Sequence, residues 1–258
     1  VLDRVPDRVR PKTPDQVQRM RRAGRVVGET LALLRAAAVP GTTPRMLDAL
    51  AAEAIAARGA TPSFLGYHGY PATICTSVND VVVHGIPDDR PLADGDLCSI
   101  DCGAIVDGWH GDAAITVRVG TVTPADEALA ATCELALAAG IAAMVPGGWL
   151  RDIGTAVEDA VRAAGPYGIL EDYTGHGIGT AMHEEPFVPN VRTRRRGLRL
   201  VPGTVLAIEP MITAGDPAVE TLADGWTVRT VDRARSAHAE HTVAVTEDGP
   251  LVLTLPGD

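Results

Sequence analysis

Aromatic residues are scarce in this chain. Two Phe, four Tyr and three Trp make up 3% of 258 residues. A core must therefore be filled by Ala, Val and Leu, and an apolar content of 46% suffices for one. Cysteine is also rare: Cys75, Cys98, Cys102 and Cys133 form no C-x-x-C pair. A chain of this length needs no disulfide scaffold, so a reduced, cytoplasmic setting is expected. Basic residues are in deficit, with 23 Lys and Arg against 33 Asp and Glu and a net charge of −10. That balance excludes a general DNA-binding role. Long uncharged runs are missing except Ala128–Val145, which is mostly alanine, contains Glu134 and predicts a buried helix rather than a membrane span. The opening VLDRVPDRVRPKTPD is charged and Pro-broken, unlike a signal peptide or an anchor. No membrane partner is expected.

Several catalytic signatures are missing as well. No G-x-S-x-G supports a serine hydrolase. Gly175-His176-Gly177-Ile178-Gly179 lacks the G-x-G-x-x-G spacing, the P-loop Lys and the acid about twenty residues further on that a nucleotide site needs. His183-Glu184-Glu185-Pro186 is not H-E-x-x-H.

What is present centres on Leu97–Val117, LCSIDCGAIVDGWHGDAAITV. Two runs rich in Ile, Val and Ala flank Asp107-Gly108, a favoured hairpin turn pair. With those two residues as the loop, positions that sum to 215 face each other, so Asp112 faces Gly103 and Asp101 faces Ala114. Asp101 and Asp112 then share one face as diagonal neighbours roughly 7–8 Å apart. Two carboxylates on an apolar face repel each other and resist burial, and a shared divalent cation would neutralise them. The competing reading is two solvated aspartates at a sheet edge, and a one-residue slip in register would separate them.

Around this hairpin the chain reads as helix pairs followed by strands. Residues 1–12 read as a loose arm, and 13–258 as one domain. Thr13-Pro14 opens a helix to about Ala38, and a second runs over about Pro44–Arg58 and stops at Gly59. Thr123-Pro124 opens a third that runs to Val145-Pro146-Gly147, and a fourth covers about Leu150–Ala164 and stops at Gly165. Val39-Pro40-Gly41, Arg45, Ala57 and Gly59 match Val145-Pro146-Gly147, Arg151, Ala163 and Gly165 at a constant offset of 106. This reads as the trace of an internal duplication, the alternative being a chance likeness between Ala-rich helices. Strands are expected over about Ala72–Ser77, Thr204–Ile208, Trp226–Thr230 and Glu240–Thr246. Helices and strands alternating in blocks indicate an α+β fold with antiparallel pairs.

His84, Asp101, Asp112, His176, His183, Glu209 and Glu240 stand in apolar or glycine-rich contexts where a charge needs a partner. Carboxylates with one or two imidazoles and no thiolate suit Mn, Fe, Co or Zn in a reactive site rather than structural zinc.

VVVHGIP, SIDCGAIVDGWHGDAA, GHGIGTAMHEEP, AIEPM and AHAEHTVAVTEDG, in order between about Thr13 and Leu255, resemble the motif set of type I methionine aminopeptidases. The resemblance implies the pita-bread fold, two pseudo-symmetric halves with a central antiparallel sheet covered by helices. It implies removal of the N-terminal methionine from peptides and nascent chains with a small second residue, by water activated between two divalent metal ions (Co, Mn, Fe, Zn or Ni). The implied metal ligands are Asp101, Asp112, His176, Glu209 and Glu240, with Asp112 and Glu240 bridging, Asp101 bidentate on one ion, and His176 and Glu209 on the other. Glu209 would shuttle protons, His183 would stabilise the oxyanion and His84 would contact the scissile nitrogen. The methionine pocket would use Phe64, Tyr67, His68, Tyr70, Cys75, Met182 and Trp226, and a bulky thiol reagent on Cys75 would block it. A sodium or potassium ion would sit at the carbonyls of Asn79 and Val81 with Ser236.

Two departures from the family pattern stand out. Met182 replaces a common phenylalanine, and His238 replaces a bulkier uncharged polar residue and receives no role. Twelve residues before Thr13, and a separation of 26 positions from His183 to Glu209, are expected of the bacterial form without an N-terminal zinc-binding extension or a type II helical insertion. The protein is expected to be a monomer. The run Arg192, Arg194, Arg195, Arg196 and Arg199 is a candidate ribosome contact or a solvated loop. The rival readings are a proline-specific aminopeptidase, which usually carries a further N-terminal domain, and a metal-free binding protein on the same scaffold, which would have lost ligands.

Overall fold

The computed structural model describes residues 9–257. The expected arm lies mostly outside these residues. Its last residue, Lys12, donates its backbone N–H to Gly203 at 2.7 Å.

Four helices form where the sequence signals start and stop them: α1 Pro14–Ala37, α2 Pro44–Ala57, α3 Pro124–Ala142 and α4 Leu150–Ala164. Thr13 caps α1 by accepting the N–H of Gln16, and Thr123 caps α3 by accepting that of Asp126. These caps satisfy backbone donors that a helix start leaves free. Helix α3 stops three residues short of the expected Val145, because a residue before proline is pushed out of the α region.

Eight strands carry the site: β1 Ile74–Val78, β2 Leu97–Val106, β3 Trp109–Arg118, β4 Gly175–Gly177, β5 Glu184–Val188, β6 Val205–Ile208, β7 Ser236–His238 and β8 Glu240–Thr246. Seven of them belong to one nine-stranded antiparallel sheet in the order β2-β3-β8-β6-β4-β5, with β1 paired to β2. Strand β7 lies in a separate three-stranded sheet. The expected strand at Ala72 starts only at Ile74, because Asp48 Oδ1 accepts the N–H groups of Thr73 and Ile74. The one expected at Trp226 starts at Val228, because Asp224 Oδ1 takes the N–H groups of Trp226 and Thr227.

The two largest apolar clusters divide between the halves that the offset of 106 relates. One is built from residues between Val26 and Val119, and the other mostly from residues between Leu129 and Val245. Helix α1 lies on β3 almost backbone to backbone: a Cβ on Gly111 would come within 2.6 Å of the Gly24 amide nitrogen. Among the described residues no helix is long and apolar enough to cross a membrane. The architecture is α+β, with four helices and a central nine-stranded antiparallel sheet among the described residues.

Candidate functional site

Strand register alone places the candidate ligands together. In β2 and β3 every pair sums to 215, so Asp101 faces Ala114 and Gly103 faces Asp112, as the turn pair requires. Cys75 of β1 pairs with Asp101, and Ala114 pairs with Glu240 of β8. The β8–β6 ladder runs His241↔Ile208, so one step further puts Glu209 opposite Glu240. Ala207, two residues earlier, pairs with His176. Opposed residues and residues two apart share a face. Cys75, Asp101, Asp112, Glu240, Glu209 and His176 therefore all project from one side of the sheet. Ala114 in the middle of the row leaves the space that the surrounding carboxylates occupy.

The glycines around His176 follow from the same crowding. A Cβ on Gly175 would lie 2.3 Å from the Ala207 carbonyl oxygen, and one on Gly177 would lie 2.2 Å from that of Glu185. Only glycine lets β4 fit between β5 and β6. The imidazole is then oriented by its Nδ1 contact with the Gly177 carbonyl at 2.8 Å.

Asp112, His176 and Glu240 are at most 3% exposed. His176 Nε2 lies 3.7 Å from Asp112 Oδ2 and 3.5 Å from Glu209 Oε1, beyond good hydrogen-bond range. Two groups of donor atoms lie within 4.8 Å of one another: Asp112–His176–Glu240 and Glu209–His238–Glu240. Among the described residues, buried side-chain polar atoms without a hydrogen-bond partner gather here: Asp101 Oδ1, Asp112 Oδ1, His238 Nε2 and Glu240 Oε1. Unpaired buried oxygens of this kind are costly unless a cation takes them. The oxygen-rich, thiolate-free donor set fits divalent metal ions. Asp101 stands outside both close groups but beside Asp112, whose charge acts on it directly. His238 is the residue that sequence reasoning left without a role; its signal was its position two residues before Glu240, on the same face of a continuous run.

Electrostatics agree with this chemistry. Burial first, then the neighbouring carboxylates, pushes Asp101 and Glu240 well above the usual carboxylate range. Burial also raises Asp112, against the opposing pull of His176. For His176, burial disfavours the charged ring, but Asp112 and Glu209 outweigh it and raise its pKa.

A cavity of about 160 Å³ opens onto this row. Its apolar wall is Phe64, Tyr67, Tyr70, Cys75, Met182 and Trp226, and His84 and His183 complete it. Tyr70 and Trp226 meet edge to face at 5.1 Å between ring centres. His68 packs edge-on against Tyr67 and is not among the lining residues. Cys75 is buried, and burial and then the Asp101 charge push its thiol well above the usual range. Cys75 lines the cavity as expected, and a buried, protonated thiol is a slower target for a thiol reagent than a free one.

His183 is depressed to about 4 by burial and then by His176, so it is neutral at pH 7. The Tyr67 hydroxyl lies 2.8 Å from its Nδ1. With the phenol donating there, the ring proton is on Nε2. His84 is held neutral by burial and takes a left-handed backbone conformation, φ 59°, that non-glycine residues seldom adopt. The loop before β5 that presents Met182 and His183 closes on Glu184. Its carboxylate accepts the N–H groups of Thr180 and Ala181 at 2.9 and 3.3 Å and the Lys12 ammonium at 2.7 Å.

The remaining expected sites lie elsewhere. The Ser236 hydroxyl donates toward the carbonyls of Asn79 (3.1 Å) and Val81 (3.0 Å), so these three residues do converge. In the basic run, Arg192 pairs with Asp159, while Arg196 and Arg199 sit over the Trp149 ring at 5.2 and 5.8 Å.

Comparison with known proteins agrees with this geometry. Residues 18–247 match the model of metallopeptidase family M24. The chain is 54% identical over 250 residues to methionine aminopeptidase 1 of Mycobacterium tuberculosis, covering 95% of this chain and 94% of that one. It superposes on the methionine aminopeptidase of Thermotoga maritima with a TM-score of 0.94 at 38% identity, covering 96% of this chain and all of the other. A prolidase from Pyrococcus furiosus shares the fold, with a TM-score of 0.76 at 20% identity, and this chain covers 66% of it.

Proposed function

This chain belongs to metallopeptidase family M24, and we propose that within it the protein is a methionine aminopeptidase. It removes the N-terminal, initiator methionine from peptides and nascent chains whose second residue is small. The observation that carries the reading is the single-faced row of Asp101, Asp112, His176, Glu209 and Glu240 with an aromatic cavity above it.

Those five side chains would hold the divalent metal in this reading, two ions by the family pattern. When bound, the ions supply Lewis acidity and lower the pKa of water toward neutrality. The chain's own residues do the rest. Glu209, at the cavity floor, takes a proton from the attacking water and passes it to the leaving amine. His183 donates Nε2–H to the carbonyl oxygen as negative charge develops there. His84 hydrogen-bonds the scissile nitrogen. Phe64, Tyr67, Tyr70, Cys75, Met182 and Trp226 hold the substrate side chain by dispersion and sulfur–aromatic contact, with His68 behind Tyr67.

An alkali cation would share the Asn79 and Val81 carbonyls and Ser236. The protein works as a cytoplasmic monomer, and Arg194 and its neighbours in the basic run offer nascent-chain access through ribosome contact. That contact predicts binding that weakens steeply with salt.

The deciding experiment measures hydrolysis of Met-Ala-Ser and of an Xaa-Pro peptide by metal-free protein reloaded with each divalent ion. Turnover of Met-Ala-Ser with about two ions per chain supports the reading. Preference for Xaa-Pro, or full activity of Asp112→Ala at saturating metal, overturns it.

A further inference from the structure

His238 is 2% exposed, and its Nε2 has no hydrogen-bond partner. Its backbone is clamped to β3: the His238 N–H donates to Thr116 Oγ1 at 3.0 Å, and that hydroxyl donates to the His238 carbonyl at 2.8 Å. Ala239, the next residue, turns into the core, so His238 and Glu240 face the same way. The ring nitrogen ends 3.6 Å from Glu209 Oε2.

That separation is too long for a hydrogen bond. It is the spacing of donors around one ion. Two ligand atoms about 2.1 Å from a metal, at tetrahedral to trigonal angles, lie about 3.4–3.7 Å apart. His176 Nε2 stands at 3.5 and 3.7 Å from Glu209 and Asp112, and His238 Nε2 repeats that spacing on the other oxygen of Glu209. Charge permits the addition. Four carboxylates already balance two divalent ions, and a neutral imidazole adds a donor without adding charge.

We infer that His238 is a sixth ligand of the metal centre, a second imidazole supplied through the donor group that it forms with Glu209 and Glu240. This inference rests on the dinuclear reading above. Nitrogen donors favour later ions over manganese, so this ligand biases the chain toward Co, Ni or Zn.

The test loads metal-free protein with Co(II) and counts the far-shifted, exchangeable imidazole N–H resonances in its proton NMR spectrum. Two such resonances are expected in the parent and one in His238→Gln. Co(II) binding by the variant should weaken on the order of 10–100-fold, with a smaller change for Mn(II). The parent spectrum alone decides if the variant folds poorly. A single shifted ring resonance in the parent, or equal Co(II) affinity in a folded variant, leaves His238 outside the coordination sphere and overturns the inference. A parent that binds no Co(II) overturns the metal reading itself.

Discussion

Stripping the metal should make stability fall as pH rises, and the sign follows from the buried carboxylates. Asp101, Asp112 and Glu240 all have pKa values raised in the metal-free fold by burial and, for Asp101 and Glu240, by mutual repulsion. The native chain then holds protons that the unfolded chain releases above the ordinary carboxylate value of about 4. Each proton held in excess lowers the unfolding free energy by about 1.4 kcal/mol per pH unit, from about pH 4 up to the raised value. His176, also raised, adds in the same direction above its usual value. Bound ions replace those protons and remove the slope. Two sites each filled at about 100 times their Kd add about 5 kcal/mol. At about 2–4 °C per kcal/mol for a chain of this size, that is roughly 10–20 °C in Tm. The assay is thermal unfolding with chelator or with Mn(II), at pH 5.5 and at pH 7.5. The gap between the two curves should widen at pH 7.5. A gap that is constant or narrower at pH 7.5 would refute the reasoning.

Lys12→Met leaves Glu184 with only its two loop N–H groups and should cost about 1.5–3 kcal/mol. Burial raises Glu184, but the Lys12 bond and charge and the loop N–H groups outweigh it and hold the pKa low. That contribution exists above about pH 4.3 and is lost as pH falls through the depressed value, so urea midpoints of parent and variant should converge in acid. Met182→Phe should raise the ratio of kcat/KM for Met-Ala-Ser over Leu-Ala-Ser, because a flexible wall is replaced by a rigid one in a pocket where a methylene is worth only about 1–3 kcal/mol. An unchanged or lower ratio removes Met182 from selectivity. Cys75 should resist iodoacetamide at pH 7.5 in the folded protein, as peptide mass mapping would show, and labelling at the rate of a free thiol would contradict its burial.

The hairpin was legible because one Asp-Gly turn fixes the register of 20 strand residues, and with it the shared face of Asp101 and Asp112. Caps at Thr13 and Thr123 were legible for a similar reason: the signal is local and the partner lies three residues away. The joining of Glu240 and Glu209 to that row depends on β8 inserting between β3 and β6, across more than a hundred residues, and only the motif resemblance anticipated it. Strand starts were missed where a side chain such as Asp48 or Asp224 captured backbone donors. Lys12 and Glu184 are 172 positions apart, and no periodicity announces such a pair.

Lys12 is the chain's single lysine. Its ε-amine is therefore the one side-chain amine that activated esters or anhydrides find in the sequence, and it is the group closed on Glu184 beneath the loop that carries His183. Acylation there erases the charge that the pair depends on. The protein thus carries its own reporter. The rate at which that single amine is acylated measures how often the segment leading into α1 lifts from the His183 loop. Surface attachment through lysine coupling would fasten the protein by the strut that braces its active-site loop, whereas carboxylate coupling would leave that strut untouched if Glu184 stays paired.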